Sequence, residues 1–265
     1  MSDSVYNDFI KHHAAYEAKN LNALLKEYKK IFANILFDNI TAENAEAIVF
    51  LNIDKESLEK VLYKIHLTTG LAYGRYVAKK LREDNPIEKK TWKPLPFFSE
   101  AFQKYIINYY AGNAGTLITS LSKTIAQSVA GQIVASANEN ETTQQMRDRI
   151  HKTVNDPKFY KWQAMRIART ETSFAMNKAK ELAADTSGVK FNKEWIGKND
   201  GRERPSHIAL NGTTIDQDEM FNVGGVMMKF PGDRENGTAE ECINCRCTFG
   251  YVAKRSANGR LVFDD

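Results

Sequence analysis

Apolar positions in the first third of the chain recur at steps of three and four. From Val5 to Leu36 the side chains of Phe9, Tyr16, Leu21, Leu24, Leu25, Tyr28, Ile31 and Phe32 fall on one stripe, which predicts one or two amphipathic helices. Residues 39–46 read as a further helix start. Asp54 is a good N-cap for the helical run that follows it, with Leu58, Val61, Leu62, Ile65, Leu71 and Tyr76 on the inner face. The stretch EDNPIEKKTWKPLPFFSE holds three of the six prolines; each ring removes a donor and restricts the preceding residue, so this is a connector. Residues 101–138 are helix-compatible but carry only Lys104 and Lys123 as charged side chains. That is too few for the charged stripe of a surface helix, so the segment either packs in a core or faces partner subunits through small residues. QQMRDRIHKTV reads as a short helix, Asn155-Asp156-Pro157 opens another, and Lys158 to Ala184 reads as a long helix that stops before Gly188.

Beyond Gly188 the pattern changes. Ten of the fifteen glycines lie after residue 187, and short strand-like runs at 189–196, 213–215, 226–230 and 248–252 alternate with NDGRERP, LNG, VGG, PGD and ENG turns. The expected fold class is therefore α+β: a largely helical N-terminal region with long helices, followed by a small turn-rich β unit packed on the last long helix.

A chain of 265 residues that is 42% apolar and 26% charged can bury a real core, which excludes collagen-like and wholly disordered classes. Net charge is only +4, and the single basic concentration is residues 158–207, with eleven Lys/Arg against six Asp/Glu. No polycationic tail of a dedicated nucleic-acid packager is present. The start MSDSVYNDFIKHHAAY lacks the features of an export signal, and no run approaches the ~18 apolar residues of a membrane span, so a soluble chain with no membrane partner is expected. All three cysteines fall within six residues, too close for a disulfide framework; reduced thiols in a cytoplasmic setting are expected.

Those cysteines are also the first candidate chemistry. Cys242, Cys245 and Cys247, with His207 on a turn, supply a Cys3His donor set of the kind that suits zinc, and a small β unit gains stability from such an ion. The Cys-x-Cys spacing argues the other way, because two sulfurs so close in sequence do not easily share one ion in relaxed geometry. The competing reading makes the cysteines small buried hydrophobes and has His207 hydrogen-bonded to a backbone carbonyl. Both stay open.

Arg166 and Arg169 share a helix face near Glu171, and guanidinium forks suit carboxylates or phosphates. One reading is an internal ion-pair network of Arg169, Glu171, Asp200, Asp233 and Arg246 that clamps the helix to the β unit. The other is a DNA-phosphate face made of Arg166, Lys193, Lys198, Arg202 and Arg204. Trp92, Phe97, Phe98, Tyr109, Tyr110 and Trp195 sit beside apolar neighbours and read as packing in preference to base-stacking platforms. There is no Walker A loop, HExxH or GxSxG, and Asp200 with His207 lacks a second carboxylate at matching spacing, so no catalytic residue is assigned and the chain is read as no enzyme. A metal-dependent enzyme is kept as an alternative.

The ordered series Arg166-Ile-Ala-Arg169-Thr170-Glu171-Thr-Ser-Phe-Ala175-Met-Asn177, Lys193-Glu-Trp195, Asp200-Gly-Arg202-Glu-Arg204-Pro-Ser-His207, Leu210-Asn-Gly212, Phe221, Phe230-Pro-Gly-Asp233 and Asn244-Cys245-Arg246-Cys247 resembles the phage Mu F-like minor head protein domain, also found in head morphogenesis proteins of SPP1-type tailed phages. The resemblance covers roughly residues 125–252. It divides the chain into a helical docking region for portal or capsid (1–124), a Mu F-like domain (helical 125–187, β unit 188–252) and a C-terminal tail (253–265). In the family motif Cys245 and Cys247 carry more weight than Cys242. The resemblance implies a minor capsid protein of the virion, at the portal vertex or capsid interior, present in host cytoplasm during assembly and supporting head assembly or DNA packaging and ejection. Implied partners are the portal protein, the major capsid protein or scaffold, and packaged double-stranded DNA; the alternative role is a DNA-binding protein at the portal.

Overall fold

The helical periodicity becomes α1 (Ser2–Ala33), α2 (Ala45–Asn52), α3 (Lys55–Asp84), α4 (Leu95–Asn138) and α5 (Pro157–Asp185). After them come β1 (Phe191–Ile196), α6 (Pro205–Ile208), β2 (Thr214–Asp216), β3 (Phe221–Val223), β4 (Val226–Met228), α7 (Ala239–Cys242) and β5 (Thr248–Ala253), an α+β architecture as expected. The structure is a computed structural model that describes residues 2–33, 40–86, 95–139, 141–142, 144–146, 148–149, 152, 156–198 and 200–264. Residues 87–94 of the proline connector with Trp92, the helix start at residue 39, parts of the short helix read from QQMRDRIHKTV, Asn155, and the side chains of Ile31 and Phe32 lie outside the described residues. Two units result that are not continuous in sequence: Met1–Asn20 with Lys64–Ile107 and Arg166–Asp265, and Leu21–Tyr63 with Asn108–Met165.

In the second unit, Leu24 and Tyr28 of α1, Val49 of α2 and Leu58 and Leu62 of α3 are buried. Asp54 accepts the Ser57 amide at 2.9 Å, the N-cap bond expected of it, and this bond holds its carboxyl below the usual range. From residue 109 to 133, α4 buries a stripe through Tyr109, Tyr110, Leu117, Ile118, Ile125, Val129 and Ile133. Its exposed face is made of small and uncharged residues such as Ala111, Gly112, Asn113, Thr119 and Ser120, which is why the segment lacks charge without being buried all round.

The first unit is organised around the Arg166–Asp185 part of α5, in which every residue from Thr170 to Glu181 is buried. The strands form an antiparallel sheet of order β2-β1-β5, with Lys193 opposite both Ile215 and Tyr251, and a separate β3-β4 hairpin. Gly224 and Gly225 turn that hairpin with φ of 59° and 95°, a backbone that favours glycine. Strand β3 escapes the sequence pattern because three residues are too few to show a period of two. Of residues 253–265, set apart as a tail, the described ones are tied in: Lys190 N donates to Val262 O at 2.9 Å, and Val189 bridges Phe263.

Within this unit α3 uses Tyr73, Val77, Ala78 and Leu81 as its buried side, while Leu71 and Tyr76 are only half-buried. Gly70 and Gly74 receive the rings of Phe102 and Phe98; a Cβ on either would lie 1.9 Å from the ring tip. Lys180 of α5 is buried, donating to Thr248 Oγ1 at 2.9 Å and to Phe249 O at 2.6 Å, and burial pulls its pKa down to about 7. Among the described residues, no helix is long and apolar enough to cross a membrane.

Gly74→Ala is expected to lose about 1–3 kcal/mol in urea unfolding through overpacking, despite the ~1 kcal/mol that alanine gains in a helix interior. Lys180 binds fewer protons folded than unfolded, so its contribution is full above the unfolded value near 10.5 and lost as pH falls through about 7. Wild type should therefore lose up to about 1.4 kcal/mol of stability per pH unit across that window relative to Lys180→Met. Parallel slopes for the two proteins would refute the assignment.

Candidate functional site

One face of α5 fixes the Cys-x-Cys segment. Thr170, Ser173 and Asn177 lie three and four residues apart, so all three project to the same side. Thr170 Oγ1 accepts Asn244 N at 3.0 Å, Ser173 Oγ donates to Cys245 O at 2.6 Å, and Asn177 Nδ2 donates to Cys247 O at 3.1 Å and to Pro231 O at 2.8 Å. Arg169 adds a bond from Nη1 to Asn244 Oδ1 at 3.1 Å. Asn244 itself has φ 64°, a left-handed backbone that asparagine tolerates. Two distant motifs, RTETSFAMN and NCRC, are thus the two halves of one clamp.

His207 arrives on the one-turn helix α6, with Pro205 at its first position. Its Nε2 is 2.8 Å from Glu241 Oε2 on α7, whose start is capped by Thr238. Ser206 Oγ also donates to the Glu241 carboxylate, at 3.0 Å. With Nε2 facing the carboxylate, Nδ1 faces sulfur, 3.6 Å from Cys245 Sγ and 3.5 Å from Cys247 Sγ. All three donor atoms are buried and lie within 4.8 Å of one another, so this group could hold a metal ion. Cys242, Cys245 and Cys247 are free thiols in an apolar cluster with Trp195, Phe221, Val223 and Met228.

The electrostatics of the group are uneven. A hydrogen bond with Cys247, with His207 adding to it, lowers the Cys245 thiol despite its burial, while the same Cys245 partner and burial drive Cys247 well up. Burial pulls His207 down, but its bond to Cys245 outweighs this and leaves it raised. Burial pushes Cys242 up to about 12.

Three expectations are corrected here. The Cys-x-Cys spacing is no obstacle to a shared ion, because the left-handed turn at Asn244 and the clamp on both carbonyls bring the two sulfurs to one imidazole. Cys242 is not in the group: its Sγ donates to Asp233 O at 3.2 Å, and it fits the buried-hydrophobe reading. His207 bonds a carboxylate, not a backbone carbonyl.

The ion-pair network exists with different partners. Arg169 pairs with Glu17 at 3.0 Å. Glu171 is fully buried between His66 Nε2, at 2.9 Å, and Arg234. Burial pushes its carboxyl up, but the Arg234 charge and the His66 bond outweigh this and hold it low. Asp233 serves the backbone instead, accepting Lys229 N at 2.9 Å and Glu235 N at 3.0 Å. Asp200 pairs locally with Arg202 and Lys198. Arg246 lines a cleft beside the cysteines. His66 was legible only as a polar residue on an apolar helix face, and nothing in the sequence separates Arg234 from an ordinary surface arginine.

Of the basic residues read as a DNA face, Lys198, Arg202 and Arg204 line that same cleft, and Arg204 also donates to Ile243 O. Arg166 lies on α5 outside the cleft lining. Lys193 is corrected: it is 3% exposed with Nζ 5.6 Å from the Phe221 ring centre, and burial lowers its pKa, so it is withdrawn from any solvent-facing phosphate. Phe98, Tyr109, Tyr110 and Trp195 are buried packing residues, while Phe97 is exposed.

Removing one member of a buried ion pair leaves the others uncompensated, so Glu171→Ala is expected to cost about 3–5 kcal/mol in equilibrium unfolding. A loss below ~1 kcal/mol would show that the triad does not brace the unit.

The sequence that builds this geometry is similar to known proteins. The family model "Phage Mu protein F like protein" matches residues 123–250. The minor head protein GP7 of Bacillus phage SPP1 is 25% identical over 228 residues, 83% of this chain and 66% of that protein. The NAD(+)--arginine ADP-ribosyltransferase EFV of Enterococcus faecalis (strain ATCC 700802 / V583) is 34% identical over 132 residues, 47% of this chain. The chain thus spans a quarter of the transferase's length and just under two thirds of the minor head protein's. No solved structure matches. Both the clamp on α5 and the His207–Cys245–Cys247 group fall inside residues 123–250, the part of the chain that is similar to the phage Mu protein F-like family.

Proposed function

We propose that the chain is a minor head protein of a tailed phage, working at the portal vertex or capsid interior as a structural adaptor, without turnover of substrate. The observation that carries this reading is the likeness to a minor head protein along 83% of the chain, not only along its C-terminal domain. The buried, internally bonded α5 suits a rigid attachment module, and the helical region, proposed as residues 1–124, supplies the docking surface. The portal protein is the proposed principal partner, with major capsid protein or scaffold and packaged DNA as further ones; host cytoplasm is the location before assembly. The His207, Cys245 and Cys247 group acts as a metal staple of the module. The transferase likeness covers a quarter of that protein and assigns no catalytic residue here.

A second reading, DNA contact at the portal, is favoured by the placement of Lys198, Arg202 and Arg204 along one cleft. The two separate on salt. As an adaptor, the purified chain co-sediments with portal protein after nuclease treatment. A DNA handler binds duplex with an affinity that falls steeply with salt, and Arg202→Ala with Arg204→Ala flattens that slope by about two phosphate contacts. Absence of the chain from mature virions and from portal-containing assembly intermediates would defeat both.

A further inference from the structure

We infer that the group binds one zinc ion through three protein donors, Nδ1 of His207 and the Sγ atoms of Cys245 and Cys247, with the fourth position open to the adjoining cleft for an exchangeable oxygen ligand from solvent. This deepens the metal staple of the proposed function and is independent of where the chain sits in the virion.

The spacing already matches an ion. Zinc lies about 2.3 Å from thiolate sulfur and about 2.0–2.1 Å from imidazole nitrogen, so a tetrahedral centre separates nitrogen from sulfur by about 3.5 Å. The structure sets these separations at 3.5 and 3.6 Å. The imidazole is oriented as a metal ligand is: Glu241 takes Nε2, which directs the Nδ1 lone pair at the sulfurs, and Ser206 in turn holds the carboxylate. Both cysteine carbonyls are bonded to α5, so the site does not have to be ordered by the ion. Charge also suits the surroundings, since two thiolates neutralise a divalent cation beside the apolar Trp195 and Phe221.

The donor count is what separates this from a closed Cys3His site. Cys242 points its thiol at the Asp233 carbonyl. Glu203 Oε1, 3.9 Å from Cys247 Sγ, is engaged by the Lys198 amide. Among the described residues no fourth donor joins the group. The same three ligand residues line the cleft together with Tyr6, Arg204 and Arg246, which gives solvent a route to the remaining position. Three protein ligands with one exchangeable position is the arrangement of open zinc sites, whereas purely structural sites are closed by four.

The full chain, stripped of metal, is titrated with zinc against a competing chelator and with cobalt as a spectroscopic probe. Expected are one ion per chain, a sulfur-to-cobalt charge-transfer band of two thiolates, and a shift of the cobalt d–d bands on adding azide. Cys242→Ser leaves affinity and band intensity unchanged. Glu241→Gln weakens zinc about 10–100-fold, and Cys245→Ser or Cys247→Ser weakens it further and halves the band. If a serine variant fails to fold, the band intensity and azide response of wild type and Cys242→Ser still decide. No uptake by a chain whose near-ultraviolet dichroism is native removes the staple and this inference together, and leaves the head role standing. Three-thiolate cobalt, loss of affinity in Cys242→Ser, or spectra blind to azide keeps the staple and overturns the open position.

Discussion

A helix buried on every face must satisfy its polar side chains from within the protein, and α5 carries an unbroken buried run of them: Thr170, Glu171, Thr172, Ser173, Asn177, Lys178, Lys180 and Glu181. An unpaired buried polar group costs free energy comparable to a lost hydrogen bond or more, and a buried charge far more. Each of these side chains therefore dictates where some other part of the first unit must lie. Asn20 reaches Thr172 from α1, His66 reaches Glu171 from α3, Ser173 and Asn177 donate to the loop carbonyls of Cys245, Cys247 and Pro231, and Lys180 donates to Thr248 and Phe249. This makes the helix a template for loops that have little regular structure of their own.

The consequence for the candidate site is positional accuracy without a large sheet. Strands β2-β1-β5 and the β3-β4 hairpin are short, and the segment that carries Cys245 and Cys247 is not in a strand at all. Its backbone is held by side chains spaced along one helix face, while His207 is held by a carboxylate from a second one-turn helix. Two independent supports thus converge on three donor atoms, which is what a metal site needs in order not to be loose.

On the proposed reading, such stiffness serves attachment. A minor head component has to keep its shape while large assemblies form around it, and buried polar bonds with defined partners specify one arrangement where purely apolar packing would tolerate several. The cleft beside the cysteines carries basic residues already committed in part to Asp200 and to the Ile243 carbonyl, so any phosphate contact there competes with internal partners.

Much of the architecture was legible from residue pattern alone: the long helices, the end of α5 before Gly188, and the strand runs that became β1, β2, β4 and β5 follow from periodicity and turn chemistry, which are local properties. The ordered motifs carry the resemblance to the family and contain Thr170, Ser173 and Asn177, but the clamp expected from them was an ion-pair network and not these backbone hydrogen bonds. What pattern could not supply was partnership across long sequence separations. His66 with Glu171, Glu241 with His207, and the separation of Cys242 from the other two cysteines depend on where α3, α6 and α7 come to rest. Gly70 and Gly74 likewise look like weak points in a helix until the rings of Phe102 and Phe98 are seen against them. Sequence by itself determined which segments are helix, turn or strand, because those depend on neighbours within a few residues. Only the tertiary structure decided which buried polar atom meets which, because that is set by how a whole unit packs.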